Sequence, residues 1–203
     1  WNIKRNTQVH EWQRYVFVVD FILHESAALS KEWCDQYIEL FETNPQSQHD
    51  GGMHDNQGIV INNPEWKKCK EIYLEEYRFF EPIEPCMSES ILKYREKYPS
   101  VDMVHTWDIE PVFKLQRYLP SEAYFKVHCE NASPEDSNRV LAWMIYLNDV
   151  YDEGHTVFPN QEKKFQPRRG DLLIWPAHFT HAHHGVTSES ETKYILTGWF
   201  SLK

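Results

Sequence analysis

The chain lacks any pair of cysteines at CxxC spacing: its four, Cys34, Cys69, Cys86 and Cys129, lie far apart. That excludes a zinc ribbon and a dithiol redox motif. A reduced, intracellular setting is the simplest expectation, although an even count is compatible with disulfides. No run approaches the ~18 apolar residues of a membrane-spanning helix, and no signal peptide is visible. A cytoplasmic protein without a membrane partner is therefore expected. The chain begins at Trp1, and a targeting segment ahead of it is compatible with the sequence. Positive charge is scarce, with 21 Lys and Arg against 31 Asp and Glu and a formal charge of −10. Such a balance opposes non-specific binding to a phosphate backbone, so nucleic acid is not expected as a partner. Repeats, low-complexity tracts and linkers are also missing. Residues 1–203 thus read as a single domain, long enough for a sizeable core.

What is abundant is aromatic: eight Trp, eleven Tyr and eleven Phe, a composition that favours a folded, β-rich globule. Residues 1–102 read as an N-terminal strand and supporting helices. Tyr15 to Asp20 has strand character, and Ser30 is placed to cap a helix whose apolar face is Trp33, Cys34, Tyr37, Ile38 and Phe41. Asn44 to Gly58 is polar and glycine-bearing, which predicts a surface loop or a substrate lid. A short strand is expected from Gly58 to Ile61, a helix from Pro64 to about Phe80, and another from Ser88 to Tyr98.

From residue 103 to 203 the pattern becomes that of short strands separated by turns. They are expected at Val112–Tyr118, Tyr124–Cys129, Arg139–Leu147, His155–Phe158, Leu172–Trp175, Thr180–Val186 and Lys193–Ser201. Seven or eight strands so spaced suggest a jelly roll or barrel. The fold class is mainly β with flanking α-helices. Arg169-Gly170-Asp171 falls in one of the turns and reads as structural.

The candidate chemistry lies on these strands. Alternation puts His128 and Glu130 on one face, with Cys129 pointing away. One imidazole and one carboxylate from a single strand, joined by a distant histidine, form a 2-His-1-carboxylate set that binds a metal on one side. Segment 178–185 offers four histidines, among which alternation leaves His181 and His183 both open as the distal ligand. Lys193 is a cation placed to hold a dicarboxylate beside such a metal. Trp143, Trp175 and Trp199 are candidate cavity walls.

Several blocks agree in order and spacing: Arg139 to Asn148, Glu153-Gly154-His155-Thr156-Val157-Phe158-Pro159, Gly170 to Pro176, His183-His184-Gly185 and Lys193-Tyr194 closing on Gly198-Trp199-Phe200. Over roughly Val112 to Phe200 the chain resembles the prolyl-4-hydroxylase-like branch of the 2-oxoglutarate and Fe(II)-dependent dioxygenases. The resemblance implies a double-stranded β-helix and an H-x-G element that selects His183 over His181. It also implies Fe(II) bound by His128, Glu130 and His183, with Lys193 on the far carboxylate of 2-oxoglutarate. Tyr118, Tyr146 and Thr156 become candidates for hydrogen bonds to that co-substrate. The implied activity is hydroxylation of a C–H bond, with succinate and CO2 as co-products and ascorbate as a candidate reductant. The implied substrate is a prolyl residue in a peptide, with small molecules open by the residues alone. Glu130 departs from the family's usual HxD, which puts the metal and the level of activity in question. A carboxylate there still favours hydroxylation over halogenation. A His2Glu zinc hydrolase and an inactive jelly-roll binding module are the alternative classes.

Overall fold

The computed structural model describes residues 19–54 and 59–203. The predicted strand at Tyr15–Asp20 lies largely outside them. In chain order the elements are β1 (Leu23–Glu25), α1 (Lys31–Thr43), β2 (His49–Asp50), β3 (Met53–His54), β4 (Val60–Ile61), β5 (Lys70–Leu74), α2 (Tyr77–Phe80) and α3 (Glu84–Lys97). There follow β6 (Trp107–Ile109), β7 (Phe113–Tyr118), β8 (Arg139–Tyr146), β9 (Thr156–Phe158), β10 (Lys163–Phe165), β11 (Leu172–Pro176), β12 (His184–Gly185) and β13 (Lys193–Leu202). Among the described residues, eight strands form one antiparallel sheet in the order β1-β11-β8-β13-β7-β5-β2, with β6 also on β13. A smaller sheet runs β10-β9-β12, and β3 pairs with β4 as a hairpin.

The large sheet is sided by the two-residue period of its strands. Leu115, Leu141, Trp143, Ile145, Ile174 and Leu196 point to one face and join Cys34, Tyr37 and Phe41 of α1 and Met87 and Tyr94 of α3 in a single apolar core. Tyr118, Ala142, Met144, Tyr146, Leu173, Trp175, Ile195 and Trp199 point to the other face, towards the small sheet. The apolar core draws on residues before and after position 103, so the helices are bound to the sheet rather than appended to it.

The predicted first helix matches closely: Ser30 accepts from the Trp33 N–H, and Cys34, Tyr37 and Phe41 are buried. The third helix starts earlier than predicted, at Glu84. The helix predicted from Pro64 to Phe80 is a correction. Pro64 sits in a single turn where Trp66 and Lys67 N–H both bond the Asn63 carbonyl, and β5 follows against β7. Ile72 and Leu74 enter the apolar core while Glu71 and Tyr73, which alternate with them, face away, a strand pattern that outweighs the helix signal of the proline. Likewise 44–54 is less of a loop than predicted, since β2 pairs with β5 and β3 with β4. Segment 124–129 is extended but makes only isolated bridges, Lys67 with Tyr124 and His128 with His183. Segment 180–186 begins as a 3-10 turn over Phe179–His181 before β12. At the Arg169-Gly170-Asp171 turn Gly170 has φ +82°, and a Cβ there would come within 2.3 Å of the Leu29 carbonyl oxygen. Only glycine fits such a position.

Candidate active site

A cavity of about 420 Å³ opens between the sheets, lined by side chains of β7, β8, β11 and β13 and by the 124–132 segment. Backbone pairing builds its candidate metal-ligating corner. His128 and His183 exchange both N–H···O bonds, at 3.0 and 2.8 Å, and the Glu130 N–H bonds the Ala177 carbonyl at 2.9 Å. Two remote segments are thereby locked face to face. Glu130 Oε1 lies 3.1 Å from His183 Nε2 and 3.5 Å from His128 Nε2, and one ligand atom from each residue falls within 4.8 Å of the others.

This donor set fits a divalent metal. His128 Nδ1 is 2.9 Å from the Lys126 carbonyl and His183 Nδ1 is 3.0 Å from the His181 carbonyl. Those bonds claim the Nδ1 protons, so each neutral ring aims the lone pair of Nε2 at the carboxylate. Three acceptors facing one another need a positive charge between them. Ligand atoms ~2.1 Å from an ion and at right angles about it lie ~3 Å apart, close to the observed spacing. Burial pushes the Glu130 carboxyl up, but hydrogen bonds and charge from the two imidazoles in their protonated form pull it well below the usual carboxylate range, as a cation in their place would do. Burial, reinforced by His183, pulls the His128 imidazole down. The rings are also held by their neighbours: Tyr124 stacks on His128 at 3.5 Å, and Phe158 and Trp175 flank His183 at 5.2 and 5.0 Å.

The structure separates the two distal histidines that alternation left open. His183 enters the cluster, whereas His181 Nε2 is bound to the Asp20 carbonyl at 2.7 Å. The 3-10 turn breaks the alternation that would have put both on one face. Lys193 lines the cavity, is 6% exposed, and donates to the Gly154 carbonyl at 2.8 Å. Burial lowers its pKa to about 8. Its strand is paired so that Tyr118 lies directly opposite, and the ammonium sits 5.1 Å from the centre of that ring. Tyr118 and Thr156 line the cavity, but Tyr146 lies behind Thr156, to which its hydroxyl donates at 2.7 Å. Of the three tryptophans, Trp175 and Trp199 line the cavity and Trp143 lies in the apolar core on the opposite face.

Sequence reasoning missed a polar wall beside Tyr118. The Tyr118 hydroxyl donates to Gln116 Oε1 at 3.0 Å, and Gln116 Nε2 donates to Glu71 at 2.8 Å. Glu71 also takes Lys67 at 2.8 Å and Lys114 at 3.2 Å. Burial raises the Glu71 carboxyl, and the two lysines outweigh it, bringing the pKa to about 2. Lys67 in turn donates to the Gly52 carbonyl at 3.1 Å, tying the hairpin base to this wall. The sequence signal that could have revealed the wall was the alternation of Glu71 with Ile72 and Leu74.

The chain is similar to known proteins in sequence and fold. The 2OG-Fe(II) oxygenase superfamily matches residues 113–201. A mimivirus protein (Acanthamoeba polyphaga mimivirus) named "Putative prolyl 4-hydroxylase" is 33% identical over 104 residues, 43% of this chain and 43% of that protein. The match thus spans less than half the length of that relative. Among solved structures, the viral collagen prolyl hydroxylase of Paramecium Bursaria Chlorella virus-1, in its 2OG complex, superposes with a TM-score of 0.65 at 17% identity, covering 90% of this chain and 97% of that one. A Trichoplax adhaerens prolyl hydroxylase bound to a hypoxia inducible factor peptide fragment gives 0.66 at 16% identity, covering 90% and 84%. The fold is therefore the double-stranded β-helix, and residues 113–201, somewhat under half of the chain, are similar to the 2OG-Fe(II) oxygenase superfamily.

Proposed function

We propose that this chain is an Fe(II)- and 2-oxoglutarate-dependent hydroxylase that acts on a prolyl residue of a peptide or protein. The observation that carries this reading is the placement of a buried lysine in the same cavity as the His128, Glu130 and His183 donors. Fe(II) with 2-oxoglutarate and O2 supplies the oxidising chemistry, releasing succinate and CO2 as the substrate is hydroxylated.

The residues divide the remaining work. His128, Glu130 and His183 would hold the metal, and the cavity beside them would receive the co-substrate. Among the described residues Lys193 has only a neutral carbonyl as hydrogen-bond partner, and a dicarboxylate's far end would give its buried charge a counter-ion. Tyr118 and Thr156 offer hydroxyls along the same wall. Met144, Trp175 and Ile195 keep the floor apolar and exclude water. At the cavity rim Val60, Val127 and Phe179 are exposed, a surface suited to an extended peptide. The relatives named as prolyl hydroxylases, one of them bound to a peptide, support the prolyl substrate.

The test is succinate formation from 2-oxoglutarate by the purified protein with Fe(II), O2 and ascorbate as reductant. Proline-containing peptides are scored by mass for one added oxygen. No Fe(II)-dependent succinate formation, with or without peptides, would overturn the reading. Turnover coupled to oxidation of a free small molecule alone would keep the oxygenase and discard the prolyl substrate.

A further inference from the structure

Glu130 carries one methylene more than the aspartate usual at this position. That adds a rotatable bond and a reach of ~1.5 Å, so either one or both oxygens could meet a metal. The structure contains a restraint on this freedom. Trp199 Nε1 donates to Glu130 Oε2 at 2.8 Å, while Oε1 is the oxygen that faces both imidazoles. The two oxygens have separate partners.

Trp199 is itself held. It is 7% exposed, and the Arg139 guanidinium covers its ring at 3.6 Å. The same Arg139 donates to the Glu130 carbonyl at 3.1 Å and pairs with Asp136 at 2.9 Å. Arginine, indole and glutamate therefore close on one another, and the carboxylate is fixed at both its backbone and its outer oxygen.

We propose that Trp199 is a positioning residue for Glu130: its indole N–H occupies Oε2, so that the longer acid presents a single oxygen to the metal. The inference rests on the metal reading of the site, but not on the identity of the substrate. Without the N–H, Oε2 swings free to compete for the positions that the co-substrate needs. A tryptophan serving only as cavity wall would show no dependence on the length of the acid.

The experiment uses Co(II) in place of iron, so that binding is read without turnover. Co(II) affinity is followed by visible absorption, and 2-oxoglutarate affinity is measured on the Co(II)-loaded protein. Two changes remove the N–H: Trp199→Phe, and benzothienylalanine introduced at position 199, which keeps the shape of indole and guards against a folding defect. Each is made alone and with Glu130→Asp, whose shorter chain cannot serve the indole and the metal together. With Glu130 present, loss of the N–H is expected to weaken Co(II) or 2-oxoglutarate binding by about 10- to 100-fold, as for other partners of metal ligands. Combined with Glu130→Asp, the same loss should change binding by no more than about twofold. Undiminished binding by the benzothienyl protein, or equal losses with either acid, would overturn the proposal. A native protein that binds no Co(II) would instead overturn the metal reading beneath it.

Discussion

The two faces of the large sheet are made from the same strands and are buried to a similar depth, yet they do opposite things. On β8, Leu141, Trp143 and Ile145 enter the helix-covered core, while Ala142, Met144 and Tyr146 turn to the other side. On β13, Leu196 and Phe200 alternate with Lys193, Ile195 and Trp199. The helix side is almost purely hydrocarbon and supplies stability through excluded water and close contact. The cavity side buries an ammonium, an amide, a phenol and a carboxylate. Lys193 shows the cost, since lowering its pKa from 10.5 to about 8 corresponds to a penalty on the order of 3 kcal/mol for the charged form. One face holds the molecule together; the other spends that stability on chemistry.

Substitutions should separate the faces. The largest effect on stability is expected at Trp143, fully buried and pressed so closely on Gly198 that a Cβ there would sit 2.5 Å from its ring. Trp143→Ala should cost about 3–5 kcal/mol in a denaturant titration, with metal affinity of the folded fraction unchanged. On the cavity face, His183→Ala should lower succinate formation by at least ~100-fold, because even partners of ligands cost 10- to 100-fold. His181→Ala should retain turnover while losing stability, since that ring is bonded to the Asp20 carbonyl. Equal loss of turnover in the two variants would erase the distinction between the histidines.

Lys193→Met is expected to move the two properties in opposite directions. Binding of 2-oxoglutarate should weaken by ~30-fold or more, about 2 kcal/mol, while the Tm of the ligand-free protein rises as a buried charge is removed. A variant that binds 2-oxoglutarate as tightly as the native protein would remove Lys193 from its role. The pH dependence carries the same opposition. The folded-state pKa of Lys193 is below its ordinary value, so between about pH 8 and 10.5 the unfolded chain binds the extra proton. This residue's contribution to stability should therefore improve as pH rises through that window, whereas 2-oxoglutarate affinity should decline above about pH 8. The smallest effect is expected at Ser30, remote from the cavity, whose cap bond to the Trp33 N–H is 3.4 Å. Ser30→Ala should cost about 0.5 kcal/mol and leave turnover untouched.

Local rules read some elements well. Ser30 and the apolar spacing behind it located α1, and the β-prone runs at β8 and β13 located both strands, but not the side to which Trp143 points. Where two local signals disagreed, contacts with distant residues decided. Pro64 opened a turn rather than a helix because Ile72 and Leu74 find Leu115 and Phe113 across β7. The 124–129 segment keeps the alternation that puts His128 and Glu130 on one side, but its partner is a two-residue bridge no propensity could announce.

By itself the sequence determined that the chain is a β-rich fold with an HxE pair, a distal histidine cluster and a downstream lysine, because each depends on neighbours along the strand. The H-x-G resemblance already favoured His183 over His181, but only the tertiary structure brought it beside Glu130, laid Tyr118 opposite Lys193, placed Trp143 in the core and put Trp199 on the carboxylate. Those outcomes depend on register and on which backbone groups find partners across the sheet. Such pairings join residues far apart in the chain, and no local pattern encodes them.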